Sequence, residues 1–395
     1  MISQILVFWL FSLLNGFGIG FIGPVYIIFL RSFGLSFFQV NLLNVVYMST
    51  VFLCEIPTGS IADYYGRKIS VLIGCFFSLI AALVYGMSSS FFGFFVAEIL
   101  FGFGLTFITG ALEAWVVDST FRERKLKNIK VGEIFGKGQA FENVGMLMGG
   151  FLGGLIAAIN ISYPWFMISL TYFITILFGS ILMKERVMGK RVVKGIQKNL
   201  NEVLKIAKQS IHYTKTHRTI VYFLFAGAMV SFSFQIILQF WQPYLTSLKL
   251  SIETLGYAWV LMMLFLIYGS YFGTKLTKKF KNERPLILMS LVISSLTYLG
   301  FALFLDFRIA TFSLLLWEFG HGIHTPLVSS FYNEFIPRKQ RATMLNFKSM
   351  IAKIGQVLSL LLTGYLADTY GLQLPFFLGT LLTFAGLIVY SGIKK

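Results

Sequence analysis

The sequence predicts an all-α integral membrane protein with twelve transmembrane helices in two pseudo-symmetric six-helix bundles. Three observations support this class: the composition, the number of long apolar segments, and the distribution of basic residues among the loops. Of the 395 residues, 56% are hydrophobic and only 12% are charged, which excludes an ordinary soluble enzyme. A membrane-spanning helix needs about 20 apolar residues, and about twelve such segments follow one another along the chain.

Each expected span is a mostly apolar run bounded by polar or charged residues. The spans cover residues 5–30, 37–62, 69–88, 91–118, 132–158, 162–183, 219–246, 253–277, 285–305, 309–335, 341–368 and 373–392. A polar segment separates six spans from six, so we expect an N-terminal bundle (1–183), a cytoplasmic linker (184–218) and a C-terminal bundle (219–395). Apolar residues recur at helical spacing between Leu200 and Ile211, which predicts an amphipathic linker helix on the inner membrane surface.

The basic residues are concentrated in alternate loops. A net charge of +17 can indicate nucleic-acid binding, but these residues do not form the single basic surface that such binding requires. With the N-terminus placed in the cytoplasm, 27 of the 33 lysines and arginines lie on the cytoplasmic side, as the positive-inside rule demands. We therefore expect a multi-pass protein of a prokaryotic plasma membrane with both termini in the cytoplasm. Its surroundings are membrane lipids, and no nucleic-acid partner is expected.

The segment joining the second span to the third carries the most informative motif. Gly59 permits close contact between helices, and Asp63 can face the positive N-terminus of a neighbouring helix. Gly66 makes the turn, and Arg67 and Lys68 hold the loop on the cytoplasmic side. The pattern Gly-x-x-x-Asp-x-x-Gly-Arg-Lys at this position resembles the signature loop of the major facilitator superfamily. The resemblance covers essentially the whole chain and implies the major facilitator fold and alternating access.

The resemblance also assigns partners to this loop. Asp118 matches the acid that pairs with the loop arginine in relatives, so we expect Asp118 to contact Arg67. The second half of the chain repeats the first, and the turn at Gly59 recurs 214 residues later, with Thr277 in place of Asp63. Parallel repeats of this kind imply a substrate site at their interface near the middle of the membrane.

The fifth span contains closely spaced glycines that let helices approach one another. They are Gly145, Gly149, Gly150, Gly153 and Gly154. The run resembles the fifth-helix motif of proton-coupled drug antiporters in this superfamily, with Gly150 in place of the proline that would bend the helix. The resemblance implies efflux by proton antiport. Many of those antiporters carry an arginine in the fourth span where this chain has Glu98, so their arginine-based proton relay cannot be carried over.

Ionisable side chains within spans are costly to bury and mark functional sites. By the family architecture, spans one, four, seven and ten line the cavity. The candidates for proton coupling are Glu113, Glu142, Glu318, His321 and Glu98, and those for the substrate cavity are Asn15, Tyr26, Thr109, Gln235, Gln239, Gln242, Trp317, His324 and Thr325. We expect Glu113, supported by Glu142, to carry the proton. The alternatives are structural: a salt bridge from Lys353 to an acid such as Glu142, and a packed histidine at His321.

These observations predict a secondary transporter that exports a small amphipathic or lipophilic compound against an inward flow of protons. No ATP-binding loop is visible, and the cysteines and histidines lack metal-ligand spacing. We therefore expect a monomer with no catalytic residue, cofactor or metal, driven by the proton gradient, with a small-molecule substrate and protons as partners. The alternatives are a proton-coupled symporter or lipid flippase and, in another class, a polytopic membrane enzyme or a non-transporting sensor.

Overall fold

A computed structural model describes residues 3–122, 131–185, 214, 217–280, 282–336 and 341–393, and all regular structure in these ranges is helical. The first half contains α1 (Gln4–Gly20), α2 (Tyr26–Ser32), α3 (Phe37–Tyr65), α4 (Arg67–Met87), α5 (Phe91–Ile108), α6 (Ala111–Arg122), α7 (Val131–Ile159) and α8 (Tyr163–Leu182). The second half contains α9 (Arg218–Ser247), α10 (Ile252–Lys279), α11 (Arg284–Leu303), α12 (Phe307–Glu334), α13 (Arg341–Tyr370) and α14 (Gln373–Ser391). The predicted all-α class is confirmed.

The helices follow the predicted spans, and ten described segments are long and apolar enough to cross a membrane. The predicted first span is instead two helices, α1 and α2, which the turn at residues 21–25 separates. The tenth span is the 28-residue helix α12, whose Glu318, His321 and His324 reduce its apolar character. The amphipathic helix predicted between Leu200 and Ile211 lies outside the described residues.

The predicted fourth span is interrupted at Thr109 and Gly110, between α5 and α6. Gly110 has a φ of 71°, in the left-handed region that glycine adopts without a steric penalty. Helix α6 then begins with Glu113 in its first turn, where the helix dipole favours an acid. Glu98 and Glu113 therefore do not share the continuous helical face that the sequence predicts, because the helix is interrupted between them.

The chain forms two compact units. Unit 1 contains Met1–Leu35, Leu43–Asn201 and Ser251–Val260, and unit 2 contains Ser36–Leu42, Glu202–Leu250 and Leu261–Lys395. Two short helical segments thus belong to the unit opposite to the one that their position in the sequence suggests. They are the first turns of α3 and the first turns of α10.

The same helix pairings recur in both units. In unit 1, α1 packs against α7 and α8, and α4 packs against α5 and α8. In unit 2, α9 packs against α13 and α14, and α11 packs against α12 and α14. In span numbers, the first span packs against the fifth and sixth, and the third packs against the fourth and sixth. In the second half, the seventh span packs against the eleventh and twelfth, and the ninth packs against the tenth and twelfth. The repeat in the sequence therefore corresponds to a repeat in packing.

The glycines of the fifth span serve two contacts within unit 1. Three of them, Gly145, Gly149 and Gly153, lie so close to main-chain carbonyl groups of the first span that a Cβ atom would clash. Gly150 lies against the indole of Trp259, and a Cβ on Gly154 would lie 2.6 Å from the Cα of Gly256. Larger side chains would therefore separate α7 from α1 on one face and from the start of α10 on the other.

Candidate functional site

Unit 1 contains a cavity of about 250 Å³ between α1, α2, α3, α4, α5 and α8. Its lining residues are Ile19, Ile22, Tyr26, Asn44, Tyr47, Ser78, Tyr85, Glu98, Phe101, Leu105, Trp165 and Tyr172. The walls are mostly aromatic or aliphatic. Among these residues Glu98 carries the only carboxylate, and there is no lysine, arginine or histidine. The cavity therefore combines an apolar surface with one acid that no basic lining residue can neutralise.

Glu98 lies two turns into α5, which begins where the Ser90 hydroxyl accepts a hydrogen bond from the main-chain N–H of Gly93 at 3.3 Å. Its side chain is buried, with 5% exposure. One carboxylate oxygen, Oε1, accepts hydrogen bonds from the hydroxyls of Tyr26, at 2.6 Å, and Tyr85. Hydrogen bonds to an ionised group are stronger than those between neutral groups, so the two hydroxyls partly offset the burial of charge.

The two hydroxyls are held in place by their surroundings. The ring of Tyr85 stacks on Trp165, with centroids 3.9 Å apart and planes 3° from parallel. Tyr26 accepts a hydrogen bond from Asn44 Nδ2 at 3.3 Å, and its ring meets Trp165 edge-on. Because Tyr26 is the first residue of α2, the break in the first span determines where its hydroxyl lies. The break in the first span, together with α3, α4 and α8, therefore determines the geometry around Glu98.

A second polar cluster surrounds Glu142 on α7. Asn15 Nδ2 donates to Glu142 Oε1 at 3.1 Å, and Gln139 Nε2 donates to Glu142 Oε2 at 3.3 Å. Asn15 Oδ1 in turn accepts a hydrogen bond from the Tyr172 hydroxyl at 3.4 Å. Glu113 is exposed and interacts electrostatically with Glu142. The structure thus brings Asn15 and Glu142, two residues that the sequence proposes for the site, into direct contact.

The loop between α3 and α4 contains the ion pair expected from the sequence. Arg67 Nη1 donates to Asp118 Oδ2 at 2.7 Å and also to the main-chain carbonyl of Ala114. Gly66 has a φ of 109°, so it makes the turn in a conformation that favours glycine. Glu185, which the sequence did not single out, accepts from the main-chain N–H groups of Arg67, at 2.6 Å, and Lys68, at 3.0 Å. It thereby caps the positive end of α4.

The expected close helix contact at Gly59 is wrong for this structure. Gly59 is exposed, and a Cβ atom added there would meet nothing within 4 Å, because this face of α3 is open.

Lys68 Nζ donates to the Ser180 carbonyl at 2.7 Å. Asp63 is also exposed, and its position facing the N-terminus of a neighbouring helix stays a prediction. The same is true of a salt bridge from Lys353.

Unit 2 contains a smaller cavity of about 30 Å³. Of the residues proposed for the site, Trp317, His321 and His324 line it. His321 stacks on Trp317 with centroids 5.4 Å apart, and Nδ1 of His324 lies 2.9 Å from the Ser290 hydroxyl. Thr325 is exposed and its hydroxyl donates to the His321 carbonyl at 3.1 Å. Each histidine therefore packs against a neighbour in unit 2.

Four further candidates in unit 2 are buried but do not line this cavity. They are Gln235, Gln239, Gln242 and Glu318, each at most 8% exposed. The carboxylate of Glu318 interacts electrostatically with Tyr298, and the described residues provide it with no hydrogen bond or ion pair. In unit 1, Thr109 is exposed at the helix break, where its hydroxyl donates to the Leu105 carbonyl at 3.0 Å.

Sequence reasoning identified Glu98 and Tyr26 but missed most of the surrounding side chains. The missed residues include Asn44, Tyr47, Ser78, Tyr85, Trp165 and Tyr172. The chain contains 18 tyrosines and 44 phenylalanines, so an aromatic residue in a span carries little information by itself. The pairing of Tyr85 with Trp165 depends on the packing of α4 against α8, which no local pattern reveals.

Comparison with known proteins gives the family. A family model described as Major Facilitator Superfamily matches residues 8–347. The chain belongs to the major facilitator superfamily. Members of this superfamily are multi-pass membrane transporters rather than enzymes, so the chain is a membrane transporter at the family level.

Several known proteins resemble the chain over nearly its full length. An uncharacterized MFS-type transporter, YxaM of Bacillus subtilis, is 25% identical over 98% of this chain and 96% of that protein. The quinolone resistance protein NorA of Staphylococcus aureus is 21% identical over 98% and 95%. The crystal structure of the nucleoside transporter NupG matches with a TM-score of 0.79 at 13% identity, covering 99% of each chain. This last similarity shows the shared fold alone.

Proposed function

We propose that this transporter exports a small amphipathic or lipophilic compound by proton antiport and alternating access. The observation that carries the proposal is the position of Glu98, a buried carboxylate in an aromatic cavity without a basic lining residue. The similarity to NorA supports efflux, and the glycines of α7 support the antiporter resemblance. The proposed energy source is the proton gradient across a prokaryotic plasma membrane, used by a monomer with both termini in the cytoplasm and no cofactor.

The chemistry of the cavity supports exchange of a proton for substrate. Burial disfavours the ionised form of a carboxylate. A buried carboxylate is therefore stabilised either by taking up a proton or by a partner with donor groups. The hydroxyls of Tyr26 and Tyr85 supply hydrogen bonds but no positive charge. A substrate that brings a cationic or hydrogen-bond donor group into the cavity therefore competes with the proton for Glu98. Competition for one group makes release of the proton depend on arrival of the substrate, as antiport requires.

The experiment is transport by purified protein in proteoliposomes. With an acidic lumen, antiport predicts that a substrate found in a panel of fluorescent amphipathic dyes accumulates inside and leaks out when a protonophore is added. A symporter would accumulate the dye only with an alkaline lumen. Vesicles with a membrane enzyme or a sensor would not accumulate the dye with either an acidic or an alkaline lumen.

The matched variants test whether Glu98 carries this coupling. Glu98→Gln should lose uphill accumulation and retain downhill exchange of dye, because the amide keeps the shape of the side chain but cannot take up the proton. Glu133→Gln is the control, since Glu133 is 54% exposed and pairs with Lys137 outside the cavity. Full gradient-driven accumulation by Glu98→Gln would reject the role given to this residue.

A further inference from the structure

One side chain of the unit 1 cavity is also hydrogen-bonded beyond it. Tyr172 lines the cavity and is 5% exposed. Its hydroxyl donates to Oδ1 of Asn15 at 3.4 Å, and Asn15 itself does not line the cavity. The hydroxyl therefore lies between the cavity and a polar group on α1.

The amide of Asn15 connects Tyr172 to Glu142. A carboxamide has an acceptor oxygen and a donor nitrogen, and both are used here: Oδ1 accepts from Tyr172 and Nδ2 donates to Glu142 Oε1 at 3.1 Å. A Cβ atom on the adjacent Gly16 would clash with the main chain of Glu142. Because α1 and α7 are in contact at this point, the amide has a fixed position. The Tyr172 hydroxyl then helps to fix its orientation.

The charged and polar groups around Glu142 make this hydrogen bond important. Gln139, on the same helix, donates to Oε2 at 3.3 Å. From α6, Glu113 contributes a like charge, and from α8 the Tyr172 hydroxyl is connected to Glu142 through Asn15. The described part of α1 has no charged residue, and on α10 the main-chain carbonyl of Glu253 lies near Gly154 of α7, 3.5 Å from where a Cβ atom would be. The ionised form of Glu142 therefore depends on neutral donors, of which Asn15 comes from another helix.

We propose that Tyr172 and Asn15 are positioning residues that transmit occupancy of the cavity to Glu142. An occupant that accepts the hydroxyl proton of Tyr172 withdraws it from Asn15, and the amide is then free to turn. Glu142 loses a donor, so its protonated form becomes more favourable. This link rests on the proposed function, in which the substrate displaces the proton from Glu98: the same occupant makes Glu142, the second carboxylate of the proton-coupling group, better able to take up a proton.

The test measures the protonation of Glu142 directly, without a substrate. Dicyclohexylcarbodiimide reacts with protonated carboxyl groups in apolar surroundings, and mass spectrometry of the labelled full-length protein gives the labelling rate at each acid. Asn15→Ala removes a hydrogen bond to the carboxylate and should raise the rate at Glu142 by about tenfold. Tyr172→Phe acts through Asn15 and should raise it by about threefold.

The matched control is Tyr163→Phe, which removes a hydroxyl from an exposed position on the same helix, α8, outside the cavity and should leave the rate at Glu142 unchanged. An unchanged rate in Asn15→Ala and Tyr172→Phe would overturn the link. An equal rise at Glu318 in unit 2 would show general loosening of the fold and would also overturn it. If vesicles with the wild-type protein show no proton-driven transport and the labelling pattern is as expected, proton antiport is rejected and the link is still supported.

Discussion

At the scale of single residues, the three acids of unit 1 that are candidates for proton coupling differ in their surroundings. Glu98 is 5% exposed and accepts from two tyrosine hydroxyls. Glu142 is half-buried and is held by two carboxamides, whereas Glu113 is exposed in the first turn of α6. Removal of water strengthens electrostatic interactions, so a proton on Glu98 is more sensitive to an arriving substrate than a proton on Glu113.

This difference leads to a prediction about Glu113, which the sequence favours as the proton carrier. Glu113→Gln removes a like charge that acts on Glu142 through space, so gradient-driven dye accumulation should fall by less than tenfold, as expected for a partly exposed charge pair. Glu98→Gln should abolish it in the same vesicles. If Glu113→Gln abolishes accumulation and Glu98→Gln retains it, the coupling group is Glu113 and the assignment to the cavity is wrong.

At the scale of helices, glycine determines where two helices can touch and where a helix must bend. Gly149 lies against the main-chain carbonyl of Phe17, whereas a Cβ atom added to Gly136, on the same helix α7, would meet nothing within 4 Å. Gly110 permits the break between α5 and α6 by its positive φ. The glycines of α7 are therefore not equivalent, although all of them lie on one helix.

Gly149→Ala and Gly136→Ala should change stability in opposite directions. At Gly149 the methyl group must push α7 away from α1, which should destabilise the fold by about 1–3 kcal/mol. At Gly136 the methyl group meets open space, and alanine should stabilise the helix by about 0.5–1 kcal/mol. Thermal unfolding of the purified protein in detergent measures both changes. A lower melting temperature for Gly136→Ala than for Gly149→Ala would contradict the packing described for α7.

At the scale of the whole molecule, the two halves repeat the same helix pairings but differ in the charged residues around the loops that follow spans two and eight. The first loop carries Asp63 and the Arg67–Asp118 ion pair, whose Nη1–Oδ2 distance is 2.7 Å. The second has Thr277 where the first has Asp63, and the Thr277 hydroxyl donates to the Thr274 carbonyl at 2.8 Å. The two halves therefore share helix pairings but not the charges of these loops.

We expect Asp63→Asn to shift the conformational balance toward the inward-facing state. The reason is electrostatic: a carboxylate stabilises the positive end of a facing helix, by about 0.3–1 kcal/mol, and an amide does not. Spectroscopic distances between labels on the cytoplasmic ends of the helices measure the balance. Thr277→Asp is the comparison, and it should shift these distances less than Asp63→Asn does. Unchanged distances in Asp63→Asn would show that Asp63 does not hold this side closed.

The sequence alone determined the class of this protein, because the length and number of apolar segments decide how often a chain crosses a membrane. It also located the turn at Gly66 and the acids within the spans, since charge in an apolar run and glycine at a turn are local signals. The partner of Arg67 came from the family resemblance. Only the tertiary structure decided that Tyr85 and Tyr26 converge on Glu98 and that Asn15 lies between Tyr172 and Glu142. Those contacts join residues up to 157 positions apart, and they depend on how the helices pack against one another, which periodicity along a single helix does not encode.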